Sequence, residues 1–160
     1  MNYQLLDTPL GTLRLVSNGV ALVKIEFEDS HSDSDEALPG SDPVLEACAA
    51  QLQAYFDGTL NHFDLPLEPK GTDFQRAVWA QLSAIPYGEL RSYRDIARAI
   101  DRPAAVRAVG AANGRNPLPI VVPCHRVIGS DGSLTGFAGG LEMKRQLLEL
   151  EGSLMELPVG

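Results

Sequence analysis

A hexapeptide that contains two prolines and a glycine, Pro-Leu-Glu-Pro-Lys-Gly at positions 66–71, separates two halves of the chain with different charge. Residues 1–69 include two basic and twelve acidic side chains, whereas residues 70–160 include eleven basic and nine acidic ones. A shift in composition at such a stretch is typical of a boundary between domains. We therefore predict two domains, at 1–69 and 70–160, each with its own core.

The N-terminal half has the pattern of a small antiparallel sheet. Alternating apolar residues predict three strands, at 2–6, 12–17 and 20–27. Asn18-Gly19 lies between the last two and favours a two-residue type I′ hairpin. Residues 28–41 are acidic and rich in serine, which predicts a mobile loop.

One helix completes this half. Asp42 followed by Pro43 is a typical N-cap and first helical residue, and Gly58 predicts the end of the helix. Apolar residues recur there every three or four positions and include Cys48, which we assign to the core.

The C-terminal half is mostly helical. Thr72 and Gln75 have the spacing of a capping box at the start of a helix. Two short helical patterns follow, one capped by Ser92 and one running from Pro103 to Asn113, and together they predict a helix-turn-helix. A glycine-rich loop then leads into a last helix from about Leu141, whose predicted inward residues are Met143, Leu147 and Leu150.

An apolar run that ends in a cysteine carries the strongest chemical signal. Ile120–Val122 predicts a short buried strand, which Pro123 ends. Cys124 follows at once, beside His125 and Arg126. Because positive charge lowers the pKa of a thiol and makes it a better nucleophile, Cys124 is our candidate for the chemistry. The alternative is a small buried cysteine of the core.

The basic residues are concentrated in one segment. The net charge of −8 argues against a polyanionic partner, yet positions 91–126 contain seven arginines and two aspartates. A local basic patch on an acidic chain is typical of nucleic-acid binding, although a solvated helical face gives the same pattern. Without an apolar run of membrane length, a secretory signal or metal-like cysteine spacing, we expect a cytoplasmic protein that needs no metal and no cofactor.

The motif Pro-Cys-His-Arg at 123–126, preceded by Arg107-Ala108-Val109-Gly110 and Asn116-Pro117, resembles the O6-alkylguanine-DNA alkyltransferases, or methylated-DNA–protein-cysteine methyltransferases. The resemblance is close over residues 72–152 and continues in Tyr87-Gly88, Ser92-Tyr93, Gly139-Gly140-Leu141 and Leu150-Glu151-Gly152. It implies an α+β fold. A small ribonuclease H-like domain with an antiparallel sheet would precede a mostly helical, winged-helix-like DNA-binding and active-site domain.

The same resemblance implies direct reversal of DNA damage. Cys124 would accept the alkyl group of O6-alkylguanine in double-stranded DNA, with O4-alkylthymine as a second candidate substrate. His125 would act as the base through a water, oriented by Glu151. Tyr93 matches the tyrosine that donates to guanine N3, and Asn116 matches the asparagine that braces the turn carrying the cysteine. Because a thioether has no ready leaving group, each molecule, expected to be a monomer, would act once.

Base flipping is a further implication, since the target atom lies inside the base stack. Arg107 matches the arginine that fills the vacated space. Other residues of its helix and the next turn are implied to contact DNA, namely Ala108, Gly110, Ala111 and Arg115. The implied pocket for the flipped base consists of Val127, Phe137, Ala138 and Gly139.

Two other functions remain open on the sequence alone. Lesion-binding relatives that flag alkylated bases without repair lack the acceptor cysteine, so the intact Cys124 argues against that function. A cysteine hydrolase is supported only by the adjacent cysteine and histidine, and it leaves the helix-turn-helix and Arg107 without a role.

Overall fold

The structure is a computed structural model that describes residues 1–28, 36–137 and 139–153. The chain forms two compact units, Met1–Lys70 and Gly71–Gly160. Half of the predicted acidic loop (residues 29–35), Ala138 of the predicted base pocket and the tail after Ser153 lie outside the described residues. Among the residues that are described, no helix has the length and apolar character that a bilayer span requires.

In the first unit, the residues that the structure describes form a four-stranded sheet and one helix. In chain order its elements are β1 (Asn2–Thr8), β2 (Gly11–Ser17), β3 (Leu22–Glu26), β4 (Leu38–Pro39) and α1 (Pro43–Phe56). The strand order is β3-β2-β1-β4, with antiparallel pairs except for β4, which pairs parallel with β1. The sheet is therefore mixed, because two residues of the predicted loop 28–41 form its edge strand.

The hairpin between β2 and β3 is confirmed, but its predicted two-residue turn is wrong. Ser17 pairs with Leu22, so four residues connect the strands. The side chain of Asn18 accepts from the backbone N–H groups of Val20 and Ala21 at 2.9 and 2.8 Å. This side-chain acceptor takes the place of a backbone carbonyl, while the N–H of Asn18 donates to the carbonyl of Ala21 at 3.1 Å.

Helix α1 begins and ends where the sequence predicts. The carboxylate of Asp42 accepts from the N–H of Leu45 at 2.9 Å, and Gly58 lies just beyond the helix with φ +78°. Cys48 is fully buried, and burial raises the pKa of its thiol to about 12. Its assignment to the core is confirmed.

The first half of the predicted linker belongs to the sheet unit. Leu22 donates its N–H to the carbonyl of Pro66 at 2.8 Å, and Glu68 donates to the carbonyl of Leu22 at 2.9 Å. Residues 66–68 thus pair with the start of β3, so the connection to the second unit is shorter than the composition suggests.

The described residues of the second unit form four α-helices and a two-stranded ladder. In chain order its elements are α2 (Asp73–Ser83), β5 (Arg91–Ser92), α3 (Tyr93–Ala99), α4 (Val106–Gly114), a 3-10 helix (Cys124–Arg126), β6 (Val127–Ile128) and α5 (Leu141–Leu150). The capping box of Thr72 and Gln75 is confirmed, and Ser92 forms a second one with Asp95. β5 pairs parallel with β6, which joins the start of α3 to the residues that follow the 3-10 helix.

The helix-turn-helix pair is α3 and α4, but α4 begins later than predicted. Ala105 donates its N–H to the carbonyl of Arg102 at 2.9 Å, which closes a separate turn that includes Pro103. The helix starts at Val106 without a side-chain cap. Pro103, which was predicted to begin the helix, lies in this turn instead.

The strand predicted at Ile120–Val122 is wrong. Val121 donates to the carbonyl of Pro119 at 2.9 Å and Val122 to that of Leu118 at 2.8 Å, so the segment is a tight turn in which Ile120 has φ +75°. All three side chains are buried nonetheless. Burial explains the apolar composition, which by itself does not distinguish a strand from a buried turn.

The predicted inward face of α5 is partly wrong. Leu147 is buried, whereas Met143 and Leu150 are only half-buried. The remaining buried positions are Leu148 and Lys144. A lysine occupies the interior because its ammonium has acceptors there, which the apolar periodicity does not reveal.

The two ends of α1 provide a test of the capping interaction. We expect Asp42→Ala to lower the free energy of unfolding by about 1 kcal/mol, because the N–H of Leu45 loses its acceptor. The matched control is Asp57→Ala, an exposed acid at the opposite end of the same helix, where the unfavourable dipole interaction makes removal neutral or stabilising. Urea unfolding followed by circular dichroism measures both, and equal losses would contradict the capping role.

Candidate active site and nucleic-acid interface

Cys124 lies at the first position of the 3-10 helix, directly after the buried turn. Its N–H donates to the carbonyl of Val122 at 2.8 Å, and Pro123 before it has φ −81°. The residue is only 5% exposed. The backbone therefore holds the thiol in one place on a rigid turn, not on a flexible loop.

A buried carboxylate connects the two residues that follow the cysteine. Glu151 Oε2 lies 2.7 Å from His125 Nε2, and both Glu151 oxygens accept from Arg126, at 2.7 Å from Nε and 3.1 Å from a terminal nitrogen. Arg126 also donates to the carbonyl of Ile85 at 2.6 Å. His125 and the Glu151 side chain are fully buried. The group links α5, the 3-10 helix and the end of α2.

The protonation states of this group follow from its contacts. The hydrogen bonds from His125 and Arg126 hold the pKa of Glu151 at about 2, against the opposing effect of burial. Burial lowers the pKa of His125, although Glu151 opposes this shift. We therefore assign a neutral imidazole whose Nε2–H donates to an ionised Glu151. Nδ1 then carries the lone pair, and it has no hydrogen-bond partner among the described residues.

The thiol of Cys124 is not activated in the way that the sequence suggests. Burial raises the pKa of Cys124, while Asn116 and the ammonium of Lys144 oppose that shift. Arg126, predicted to supply the positive charge, is instead bound to Glu151. The expectation of a thiol pKa lowered by its neighbours is therefore wrong, because desolvation has the larger effect.

Two asparagines hold the turn that carries the cysteine. Asn116 donates from Nδ2 to the carbonyl of Val122 at 2.8 Å, and its Oδ1 accepts from the N–H of Leu118 at 2.9 Å. Asn113, at the end of α4, directs its Nδ2 to the carbonyl of Cys124 at 3.5 Å. Both side chains are buried. The turn is thereby attached to the helix-turn-helix.

A loop beside the cysteine is held by a buried lysine and a tyrosine. Lys144 Nζ donates to the carbonyls of Val127 at 2.6 Å and Thr135 at 2.7 Å, with Gly136 at 3.4 Å. The hydroxyl of Tyr93 donates to the same Thr135 carbonyl at 3.0 Å. Sequence reasoning missed Lys144, and the only available signal was a lysine at a core position of an amphipathic helix.

Helix α4 presents a smooth exposed face. Its exposed residues, with the first residue after the helix, are Arg107, Ala108, Ala111, Gly114 and Arg115. The methyl groups and the glycine permit close approach of another surface between two arginines. Gly110, predicted to touch DNA, is half-buried, and a Cβ built on it would lie 3.9 Å from the Tyr93 ring.

The second unit brings together most of the predicted catalytic residues. Cys124, His125 and Glu151 are all buried, His125 is bound to Glu151, and Asn116 braces the turn that carries Cys124. Tyr93 contacts the loop that leads to Phe137. Val127 is fully buried, Phe137 and Gly139 are half-buried, and Ala138 lies outside the described residues.

Sequence profiles of known families match both halves of the chain. Residues 1–69 match the 6-O-methylguanine DNA methyltransferase, ribonuclease-like domain, and residues 73–153 match the 6-O-methylguanine DNA methyltransferase, DNA binding domain. The methylated-DNA–protein-cysteine methyltransferase of Methanosarcina barkeri is 47% identical over 94% of this chain and 97% of its own length. That of Mycobacterium tuberculosis is 47% identical over 96% of this chain and 93% of its own length.

Solved structures agree with these sequence relatives. The crystal structure of Mycobacterium tuberculosis OGT in complex with DNA superposes with a TM-score of 0.90 at 48% identity, covering 96% of this chain and 94% of the other. The structure of an O6-methylguanine DNA methyltransferase from Methanococcus jannaschii has a TM-score of 0.67 at 26% identity, covering 98% and 97%. The predicted fold class and family resemblance are confirmed.

The buried carboxylate makes stability depend on pH. The pKa of Glu151 is about 2 in the folded protein, below its unfolded value, so its contribution is complete above about pH 5 and is lost as the pH falls towards 2. The shift corresponds to about 3 kcal/mol. We expect the free energy of unfolding of Glu151→Gln to fall less steeply as the pH decreases. At pH 7 the substitution should lower the free energy of unfolding by about 3–5 kcal/mol, because Arg126 stays buried without a counter-charge.

Glu149→Gln is the matched control, since Glu149 lies on the exposed face of the same helix. It should change the free energy of unfolding by less than about 0.5 kcal/mol at every pH. Urea unfolding at a series of pH values measures both variants. An unchanged acid profile in Glu151→Gln would show that another group causes the acid loss.

Proposed function

The chain belongs to the 6-O-methylguanine DNA methyltransferase family, and from this premise we propose that it repairs DNA by direct reversal. The alkyl group of O6-alkylguanine in double-stranded DNA moves to Cys124. The observation that carries this proposal is the buried imidazole of His125, adjacent in the chain to Cys124. Its Nε2 is bound to Glu151, and its Nδ1 has no partner among the described residues.

The first step in this proposal removes the thiol proton. Because burial raises the pKa of Cys124, the resting group is a neutral thiol and needs a base. His125 takes the proton at Nδ1 through a bridging water, since side chains adjacent in the chain seldom face each other. Glu151, with a pKa of about 2, stays ionised and stabilises the imidazolium that forms.

The second step is an in-line displacement. The sulfur attacks the alkyl carbon, a C–S bond forms, and the C–O6 bond breaks with its electron pair moving to the guanine. A hydrogen bond from Tyr93 to N3 assists the departure of guanine. The product at Cys124 is a thioether without a good leaving group, so the protein is consumed.

The exposed face of α4 supports the proposal of a DNA-binding helix. Arg107, Ala108, Ala111 and Arg115 combine two cations with small side chains, as a helix that approaches the minor groove closely requires. Arg107 enters the stack where the target base is flipped out. Gly110, half-buried in the same helix, is part of this proposed DNA contact.

Several finer assignments belong to the same proposal. Val127, Phe137, Ala138 and Gly139 form the pocket for the flipped base. The boundary between a sheet domain at 1–69 and an alkyltransferase domain at 70–160 is likewise proposed, as are a monomeric state, a cytoplasmic location and activity without metal or cofactor. The match of both halves of the chain to the family supports these finer points.

Mass spectrometry tests the transfer. After incubation with a duplex containing O6-methylguanine, we expect one methyl group on the peptide with Cys124 and one repaired guanine for each protein molecule. Cys124→Ala should bind the duplex without transfer, and Cys48→Ala should transfer like the wild type because Cys48 is an inert core residue. Tight binding without any mass change in the wild type would indicate a lesion-binding protein instead, and repeated turnover would indicate a hydrolase.

The role of Arg107 is tested by comparing two substrates. Arg107→Ala should slow repair of duplex O6-methylguanine by roughly tenfold or more, equivalent to about 1.4 kcal/mol. It should leave the reaction with free O6-benzylguanine nearly unchanged, because a free base needs no flipping. Arg76→Ala, which removes an exposed arginine from α2, is the control. Equal losses with both substrates would contradict a role in base flipping.

A further inference from the structure

The pair Tyr87-Gly88 is a motif to which the proposed chemistry assigns no role. It forms the centre of a turn shortly after α2, which the N–H of Glu89 closes by donating to the carbonyl of Pro86 at 3.1 Å. Gly88 has φ +83°, a conformation that glycine adopts without strain and that other residues rarely adopt. The turn therefore fixes the backbone from which the Tyr87 side chain extends.

This turn contacts the C-terminal end of α5. The hydroxyl of Tyr87 donates to the carbonyl of Leu150, the last residue of the helix, at 3.2 Å. The last carbonyls of a helix have no donor within the helix, and Tyr87 supplies one from outside. A Cβ built on Gly88 would lie 3.4 Å from the backbone oxygen of Glu151, the C-cap residue. The turn thus holds the backbone that carries the Glu151 side chain.

The same segment also contacts the guanidinium of Arg126. Its central carbon lies over the Tyr87 ring, 5.7 Å from the ring centroid, and one terminal nitrogen donates to the carbonyl of Ile85 at 2.6 Å. A cation within about 6 Å of an aromatic face is attracted to it. Residues 85–88 therefore contact both members of the buried pair that Arg126 forms with Glu151.

These contacts determine the direction of the carboxylate. Glu151 Oε1 accepts from Arg126 Nε, and Oε2 lies on His125 Nε2, both at 2.7 Å. Because the two oxygens belong to one rigid group, a carboxylate that followed a displaced guanidinium would move Oε2 away from the imidazole. A displacement of about 1 Å is enough to slow a reaction substantially.

We propose that Tyr87 is a positioning residue that holds Glu151 and Arg126 in the arrangement in which the carboxylate binds His125. The inference rests on the proposed function, in which His125 removes the thiol proton and Glu151 stabilises the imidazolium. Tyr87 acts through Glu151. Its hydroxyl fixes the end of α5 and its ring fixes the guanidinium, so two parts of one side chain hold two different partners.

Single-turnover kinetics with free O6-benzylguanine test this role. Tyr87→Phe keeps the ring and removes the hydroxyl, and we expect transfer at saturating substrate to slow about threefold, the effect of one neutral hydrogen bond. Tyr87→Leu also removes the ring and should slow transfer roughly tenfold, equivalent to about 1.4 kcal/mol. The substrate concentration that gives half the maximal rate should not change. A wild-type rate in Tyr87→Leu, or a change in that concentration alone, would overturn the inference.

Proton NMR of protein with isotope-labelled histidine gives a second readout, which a purely structural role would not change. The Nε2–H proton of His125 is shifted downfield by its short bond to a carboxylate. It should move upfield in Tyr87→Leu and by a smaller amount in Tyr87→Phe. A loss of stability alone would lower the folded fraction and leave this resonance in place, and that result would contradict the inference. If Tyr87→Leu does not fold, both measurements on Tyr87→Phe decide.

Glu89→Gln is the matched control, because it removes an exposed acid directly after the turn, one that pairs with Arg91 at 3.1 Å. It should match the wild type in rate and in the His125 resonance. A change as large as that in Tyr87→Leu would show that the turn responds to any substitution, against the inference. The wild type is also incubated with duplex O6-methylguanine. A failure of the proposed function appears there as absence of transfer, separately from the NMR result.

Discussion

The carboxylate of Glu151 is the interaction on which the second unit depends most. It accepts three hydrogen bonds from two residues of the 3-10 helix, and the guanidinium of Arg126 extends the network to the carbonyl of Ile85. A buried network of charged groups is stable only when every member has its partners. The contacts that orient His125 are therefore the same contacts that hold α5 and the end of α2 to the acceptor segment.

Cys124 owes its reactivity to its placement and not to a resting negative charge. The turn before it includes Ile120 with φ +75°, a conformation that costs about 1–3 kcal/mol in a residue other than glycine. Asn116 stabilises that turn through Val122 and Leu118. Because burial keeps the thiol neutral until a base removes its proton, an acceptor that is used only once is protected from adventitious oxidation and alkylation.

Local signals in the sequence predicted the elements whose ends are determined by neighbouring residues. Asp42, Ser92 and the pair Thr72 and Gln75 bind backbone groups three residues away, so spacing alone revealed the starts of three helices. The turn at Ile120–Val122 escaped prediction because its conformation depends on Asn116 and on burial by distant elements.

The prediction of Cys124, His125 and Glu151 as a group came from motifs in the right order along the chain, and the structure shows the contact between His125 and Glu151. The partner of Arg126 and the burial of Lys144 were not predictable in this way. Both depend on contacts with carbonyls or carboxylates more than seven residues away along the chain. The identity of a residue does not predict which distant acceptor its side chain will bind.

Lys144 and Arg126 show how two buried cations near one thiol serve different purposes. The charge of Arg126 is balanced by Glu151, whereas the partners of Lys144 are neutral carbonyl dipoles. Lys144 favours the thiolate of Cys124, yet burial has the larger effect and the thiol remains protonated. The ammonium therefore cannot replace the base. Its three hydrogen bonds hold backbone carbonyls in place. In the proposed mechanism His125 removes the proton. Its buried ring is held in one tautomer by the same carboxylate that neutralises Arg126.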